Sequence, residues 1–517
     1  MKRYNYILTG VIALLLLYSC DDFLDVDPDN RAEVDSKSKI SGLLVSAYPA
    51  ASYCYLTEMS SDNVDRMERY VQYEDRTQNE FFHWKNVTDT DTDSPHIIWE
   101  ACYKAIASAN QALQAIEELG NANGSLNPQK AEALLCRAYS HFVLANVFCL
   151  HYGRTSDTDL GIPYVEEVET TVRPNYDRGT VAGIYAKMAA DIEEALPLVS
   201  DEDFIANKSQ PKYHFNRKAA YAFAARFFLY YRKYDRVIAC ATEALGSSPL
   251  VSLRDWSYAG RTTTYEIRGN EYIDSDNKAN WLLMPAHSLW GIYDGPYYSG
   301  CYYMHHDVIS ETETDASAGP WGSASTFRFK PLNLMIQKVV NYKIMAFFEY
   351  TDPVQRIGYY HIVYPAFTAD ETLLCRAEAY AMNKEYTNAV NDLALFMRNY
   401  STGTTLTRQN INNFYNNRAY YQYDAPTAKK KLNPDFEIEA GDQENLIHCV
   451  LHIRRILTRS EGLRWFDVKR YGIEISRRSF SVNFEVSELD FLSKNDPRRA
   501  IQLPMDVINA GLTPNPR

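Results

Sequence analysis

The sequence of 517 residues contains no CxxC pair, no H-E-x-x-H, no G-x-S-x-G, no P-loop and no dinucleotide-binding glycine fingerprint. Those absences remove the common signatures of zinc sites, serine hydrolases and nucleotide enzymes. Positive charge is also in deficit: 53 Lys and Arg stand against 66 Asp and Glu, a formal charge of -13 at a pI near 5.4. No Lys/Arg run interleaved with aromatics offsets it, so a phosphate backbone would be repelled and nucleic acid is a poor partner. The apolar run Ile7 to Leu17 is too short to span a bilayer, which takes about 20 apolar residues. Carboxylates are plentiful, but none form a pair of defined separation for acid/base glycoside cleavage.

What is present begins at the N-terminus. Lys2 and Arg3 precede the apolar run, and Leu17-Tyr18-Ser19-Cys20 closes it before acidic sequence starts at Asp21 and Asp22. This reads as an export signal, and its ending on a cysteine resembles a bacterial lipoprotein signal in which Cys20 becomes the lipidated first residue. Residues 1–19 are then the signal and 20–38 an acidic, Pro28-punctuated tether. Several acyl chains on one residue give stable anchoring that a single chain does not, at about 0.8 kcal/mol per buried CH₂. In lipoproteins flipped to the cell surface, acidic residues after the cysteine often act as the address. The other eight cysteines have no spacing that defines a disulfide framework, and those in helical stretches behave as small hydrophobes.

The pentapeptide LLCRA occurs twice, at 134–138 and 373–377. Leu134/Ala138/His141, Tyr221/Ala225/Phe228 and Leu373/Ala377/Tyr380 share offsets of zero, four and seven, with a small residue in the middle. Those offsets suit the inner helix of a tetratricopeptide hairpin, where the small side chain admits the partner helix. Val237, Ala241 and Ala244, and Ala389, Leu393 and Phe396, fit the outer helices. For the first unit the outer helix is displaced to about Thr180–Leu196. LLCRA is therefore packing grammar, its arginine snorkelling or pairing at the helix edge. Upstream, Trp99, Tyr103, Ile106, Asn110, Leu113 and Ile116 share one face of a helix opened by Ser94 and Pro95. Helical units are expected over about 95–249 and 369–400. From about 250 to 341 the helical period lapses, and Gly and aromatics crowd the chain as in a functional loop region.

With these pieces in order, the chain resembles the SusD/RagB family of surface nutrient-binding lipoproteins over nearly its whole length. The matching stretches are Cys20 with its acidic follow-on, WEACYKAIASANQAL, AEALLCRAYSHFVLANVF followed by GIPYV, AAYAFAARFFLYYRKYDRVI, ADETLLCRAEAYAMNKEYTNAV, EGLRWFDVKRYG and the ending LPMDVINAGLTPNPR. Ile453 and Leu457 stand where the family often has Glu, which bears on local ion pairing. The resemblance implies a mainly α fold for 39–517: a scaffold of four tetratricopeptide-like units carrying an irregular, aromatic-rich portion. It also implies a SusC-like TonB-dependent transporter as partner in the outer membrane, no enzymatic activity, and a glycan as ligand, or a peptide in the RagB branch. A surface glycoside hydrolase and a scaffold for protein partners alone are the rivals from other classes.

Sugars present flat CH faces edged with hydroxyls, so aromatic platforms with amide or carboxylate companions suit them. Trp84, Trp281, Trp290, Tyr297, Tyr298 and Trp321, in apparent loops, are the expected ligand contacts, with Asn280 and Asp294 as polar companions. No cofactor is expected beyond one possible cation. Asp89, Asp91, Asp93 and Glu100 reproduce the acid positions of a twelve-residue calcium loop, although Ser94 replaces its glycine and Pro95 follows, as at a capped helix start. His305, His306, Asp307 and Glu311 match no zinc signature and read as a polar loop.

Overall fold

The computed structural model describes residues 34–68, 74–169, 176–207, 211–259, 264–296, 302–333 and 337–517. Cys20, Tyr297 and Tyr298 lie outside the described residues. The long helices are α1 (Pro95–Leu119), α2 (Asn127–Phe148), α3 (Val181–Ala195), α4 (Arg217–Tyr230), α5 (Tyr234–Leu245), α6 (Ala369–Met382), α7 (Tyr386–Tyr400), α8 (Asp442–Leu457) and α9 (Leu463–Arg470). The mainly α expectation holds. Among the described residues no helix is long and apolar enough to cross a membrane.

The three predicted hairpins are α2/α3, α4/α5 and α6/α7, and α6 also packs on α5 so that the last two stack. The small positions do what the pattern requires: Ala138, Ala225 and Ala377 are fully buried, as are Val237, Ala241, Ala389 and Leu393. Both LLCRA arginines make the same bond. Arg137 meets the two carboxylate oxygens of Asp191 on α3 at 2.8 and 2.6 Å. Arg376 meets both oxygens of Asp392 on α7 at 2.8 Å. In each hairpin the guanidinium fork ties the inner helix to the outer one, and the geometry is bidentate. Cys136 and Cys375 are buried free thiols, pushed up by burial, and form no thiol site.

Helix α1 starts as read: the Ser94 side chain accepts from the Ile97 N–H and Pro95 occupies the first turn. Its most buried stripe is Ile98, Cys102, Ala105, Ala109, Ala112 and Ile116, one position round from the predicted face. Trp99, Tyr103 and Leu113 are left half-buried at groove walls. Asn110, the polar exception, donates to Val165 O and Glu167 O and accepts from Arg137.

Beyond the helices, the apolar stretch around Trp281 forms strand β1 (Asn280–His287). It pairs with β3 (Ile357–Thr368), which pairs in turn with β2 (Phe347–Asp352), giving the order β1-β3-β2. The region 250–341 is therefore less irregular than its aperiodic sequence suggests. It also holds the helix Tyr265–Tyr272. A second sheet, in the order Tyr303–Met304, Asp65–Met67, Ile475–Phe480 and Val486–Leu492, joins the N-terminal part, the aromatic region and the C-terminal part.

Burial raises the Asp392 carboxyl, and Arg376 offsets only part of that rise. Removing the arginine leaves a buried charge without its partner, which typically costs about 3–5 kcal/mol. Arg376→Ala should lower unfolding stability by about 3 kcal/mol in urea titration, and adding Asp392→Ala should restore part of it. Equal losses in the single and double variants would show that the pair is not coupled.

Candidate functional site

The tryptophans expected to touch ligand are core residues. Trp84, Trp281, Trp290 and Trp321 are between 0% and 4% exposed. Trp84 donates to Ser60 O and lies under the Arg477 guanidinium at 4.0 Å. Trp290 donates to Ser460 O and stacks on Tyr55 at 5.1 Å. Trp281 points from β1 into the main core, and Trp321 packs against His452 and Phe327. Their large apolar area is worth more buried than at the surface. They offer no open face to a sugar. Asn280 is likewise buried, bonded to Tyr272 O, Asp274 O and Arg254, and Asp294 is 6% exposed.

The acids of the calcium reading point to different partners. Asp89 accepts from Thr77 and from the Asp91 N–H. Asp93 turns inward and accepts from the Leu289 N–H, while Glu100 stands exposed on α1 beside His96. The acids lie around a helix start capped by Ser94, and the described residues hold no cluster of three or more His, Cys, Asp or Glu placed to bind a metal. Burial pushes Asp93 up to about 7. The histidines are structural too. His305 contacts Asn63 O and Thr314, and His306 contacts Asp65 and Asp307.

Among the exposed aromatics, Phe348, Tyr350 and Tyr360 are grouped on the β2–β3 hairpin. Register sets Phe347 opposite His361, Phe348 opposite Tyr360, Glu349 opposite Tyr359 and Tyr350 opposite Gly358. Alternation then sorts the side chains onto two faces. One carries Phe348, Tyr350 and Tyr360, exposed by 39, 54 and 40%, with Phe348 at 4.9 Å from each of the two tyrosine rings. The other carries Phe347, Tyr359 and His361 with His287 of β1: Phe347 stacks on His361 at 5.5 Å and His287 on Tyr359 at 4.2 Å. Glu349 sits beside Tyr359 and holds that phenol above its ordinary value by a hydrogen bond. Gly358 allows the close approach, because a Cβ there would meet Glu349 O at 2.0 Å.

The segment 288–296 joins this hairpin to the rest of the aromatic region. The Ser288 N–H bonds Tyr360 O, Gly291 abuts the Ala346 backbone, and Tyr293 stacks on Tyr55 at 4.9 Å. Next along the chain, the half-buried Tyr302 lies under the Arg66 guanidinium at 5.1 Å. The hairpin was missed in the sequence because it lies past the loop region's expected end. Its signal is legible in retrospect: FFEYTD and IGYYHIVY alternate around Asp352-Pro353, and Asp352 caps the turn by accepting from Val354 and Gln355 N–H.

An exposed, mutually packed aromatic set on a sheet is a candidate binding surface. Residues 22–229 match the SusD-like family described as "Starch-binding associating with outer membrane". Over that span the chain is similar to the SusD-like family. A SusD-like protein of Formosa agariphila is 21% identical over 91% of this chain and 92% of its own length. A SusD superfamily structure from Bacteroides thetaiotaomicron superposes with a TM-score of 0.62 at 17% identity, over 94% of this chain and all of that one. A laminarin-binding SusD-like protein gives 0.54 at 14% identity, over 93% of this chain and 99% of that one. At these identities the solved structures speak to the fold, which this chain shares over more than nine-tenths of its length.

Two predictions follow from the burial. Trp321→Ala should cost about 3–5 kcal/mol of stability, as large-to-small core substitutions do, measured by denaturant unfolding. A loss under 1 kcal/mol would return Trp321 to the list of surface candidates. For His306, burial alone would lower the pKa, but bonds to Asp307 and Asp65 raise it. A raised folded value means that the imidazolium stabilises below its unfolded pKa of about 6.5, and the benefit is lost as pH rises through the folded value. The stability gap between the native chain and His306→Gln should therefore shrink from pH 6 to pH 9. A gap that widened would reverse the assignment.

Proposed function

We propose that this SusD-like chain is a non-catalytic surface lipoprotein that captures oligosaccharide and passes it to a SusC-like TonB-dependent outer-membrane transporter. The exposed hairpin carries the reading. Rings at its tip offer stacking faces for sugar CH surfaces, and the Tyr350, Tyr359 and Tyr360 hydroxyls and Glu349 provide edges that bond sugar hydroxyls. Attachment of the sheet to a packed helical frame preorganises the rings, so little ordering entropy opposes binding. Each contact is modest, which suits a protein that must release what it binds.

Support for the membrane location comes from the family description and from the leader ending in Cys20. Acylation there would tether the frame at a bilayer surface, with the acidic segment after it as the exterior address. The named ligand of the laminarin-binding relative makes a β-glucan a natural first probe beside starch fragments.

Phe348→Ala, Tyr350→Ala and Tyr360→Ala should each weaken binding of laminarin or maltoheptaose about tenfold in calorimetry, or about 1.4 kcal/mol. As exposed positions, they should change unfolding stability by less than about 0.5 kcal/mol. Unchanged affinity in the triple variant would remove the hairpin from the site. Binding of peptides but no glycan would favour a RagB-type ligand, and reducing-end release would make the protein a hydrolase.

A further inference from the structure

We infer that a separate cavity, between α1 and the C-terminal helix Met505–Asn509, binds an organic cation: a protonated amine or quaternary ammonium group. Of the seven tryptophans, six are buried, and Trp99 alone is partly exposed. It opens onto a cavity of about 300 Å³ together with Tyr103, Pro163, Glu169, Tyr176 and Asp506. Trp99 and Tyr103, four residues apart on α1, hold their ring centres 4.9 Å apart, and Phe148 props the indole edge-on at 5.2 Å. The volume suits a small ligand, and three of the lining side chains, Trp99, Tyr103 and Tyr176, are aromatic.

The choice of a cation rests on what those walls can exchange. Both tyrosine hydroxyls have given up their protons inside the protein, Tyr103 to Pro163 O at 2.8 Å and Tyr176 to the Glu169 carboxylate. The backbone N–H groups of Ala510, Gly511 and Leu512 are likewise spent on Asp506 O, Ile508 O and Val507 O. Among the described residues the lining presents the rings of Trp99, Tyr103 and Tyr176, aliphatic side chains of the C-terminal segment and two carboxylates, Glu169 and Asp506, and no described lysine or arginine lines it. His96 touches the Asp506 carboxylate at 3.2 Å and Glu100 at 3.7 Å from the α1 side. Arg178, whose field reaches Tyr103, is 3% exposed and is bonded to Gly161 O, Thr513 O and Asn515. An anion would be repelled, and a neutral sugar would find acceptors but few donors. An ammonium group finds ring faces that attract it through their quadrupole and carboxylates that balance its charge.

The test pairs choline with its uncharged isostere, 3,3-dimethylbutan-1-ol, in titrations of the purified full chain followed by tryptophan emission and calorimetry. Choline should give saturable binding at least tenfold tighter than the alcohol. Trp99→Leu should remove both the emission change and the binding. Asp506→Asn, at a side chain 59% exposed on a short terminal helix, should weaken choline several-fold while leaving the melting temperature unchanged. Hairpin variants should leave choline binding intact. Equal affinity for the alcohol, maltose binding lost with Trp99→Leu, absence of any saturable choline response, or full affinity in Asp506→Asn would each overturn the assignment.

Discussion

Charge neutralisation in the interior governs this fold. Arg454 on α8 reaches Asp467 on α9 at 3.2 Å and Glu371 on α6 at 3.1 Å. Glu371 also takes Arg226 from α4, and Glu378 takes Arg470 from α9. Four helices distant in sequence are thus pinned by charges that are nearly all below 5% exposed. Such pairs add little net stability over well-packed hydrophobes, but a register in which one partner is missing is heavily penalised. Their effect is to make alternative packings of similar Ala-rich helices unaffordable. A second knot does the same for the sheet end, where Asp62 meets Arg464, Glu313 meets Arg455 and Lys430, and Asp65 meets Arg478. Burial alone would raise Asp65, yet Arg478 and His306 bring it down to about 2.

That stiffness is what the aromatic surfaces depend on. Glu58 shows how the frame reaches the loops. One of its oxygens accepts from the Ser460 N–H and Asn63 and the other from the Gly462 N–H, so it holds the turn on which Trp290 is hung. Gly462, at φ 74°, starts α9 where a Cβ would meet Thr57 Oγ1 at 2.2 Å. The EGLRWFDVKRYG stretch is therefore structural throughout. Arg464, Asp467 and Arg470 are ion partners, Trp465 is buried, and Lys469 donates to Asn146 O and Cys149 O. The buried Ile453 and Leu457 displace no ion pair, because Arg454 and Arg455 beside them carry the charges.

The helical half was legible because a 3.6-residue period and a required small residue leave marks within ten positions of each other. The helix start at Ser94 and the outer helix capped by Thr180 were likewise local. The site was less legible for the opposite reason. Trp281 looks like a loop residue until β1 pairs with β3, about eighty positions later, in a strand whose first five residues are all buried. Trp84 and Trp290 find their carbonyl partners at Ser60 and Ser460, which no periodicity reveals. Aromatic density marked the region and said nothing about which rings face out. Tyrosine and phenylalanine on a short hairpin took the exposed role because two-faced strand tips have no core to bury them.

The Asp62–Arg464 pair joins residues 402 positions apart. A ribosome delivers the carboxylate long before the guanidinium that neutralises it exists. Until nearly the whole chain is present, the N-terminal part carries an acid destined for burial with nothing to pair it. Closing so distant a contact is entropically slow, and partly formed helical surface is exposed meanwhile. Completion of this protein is in effect a check on its own length: a truncated product lacking α9 would be left with unmatched interior charges and recognisable as unfinished.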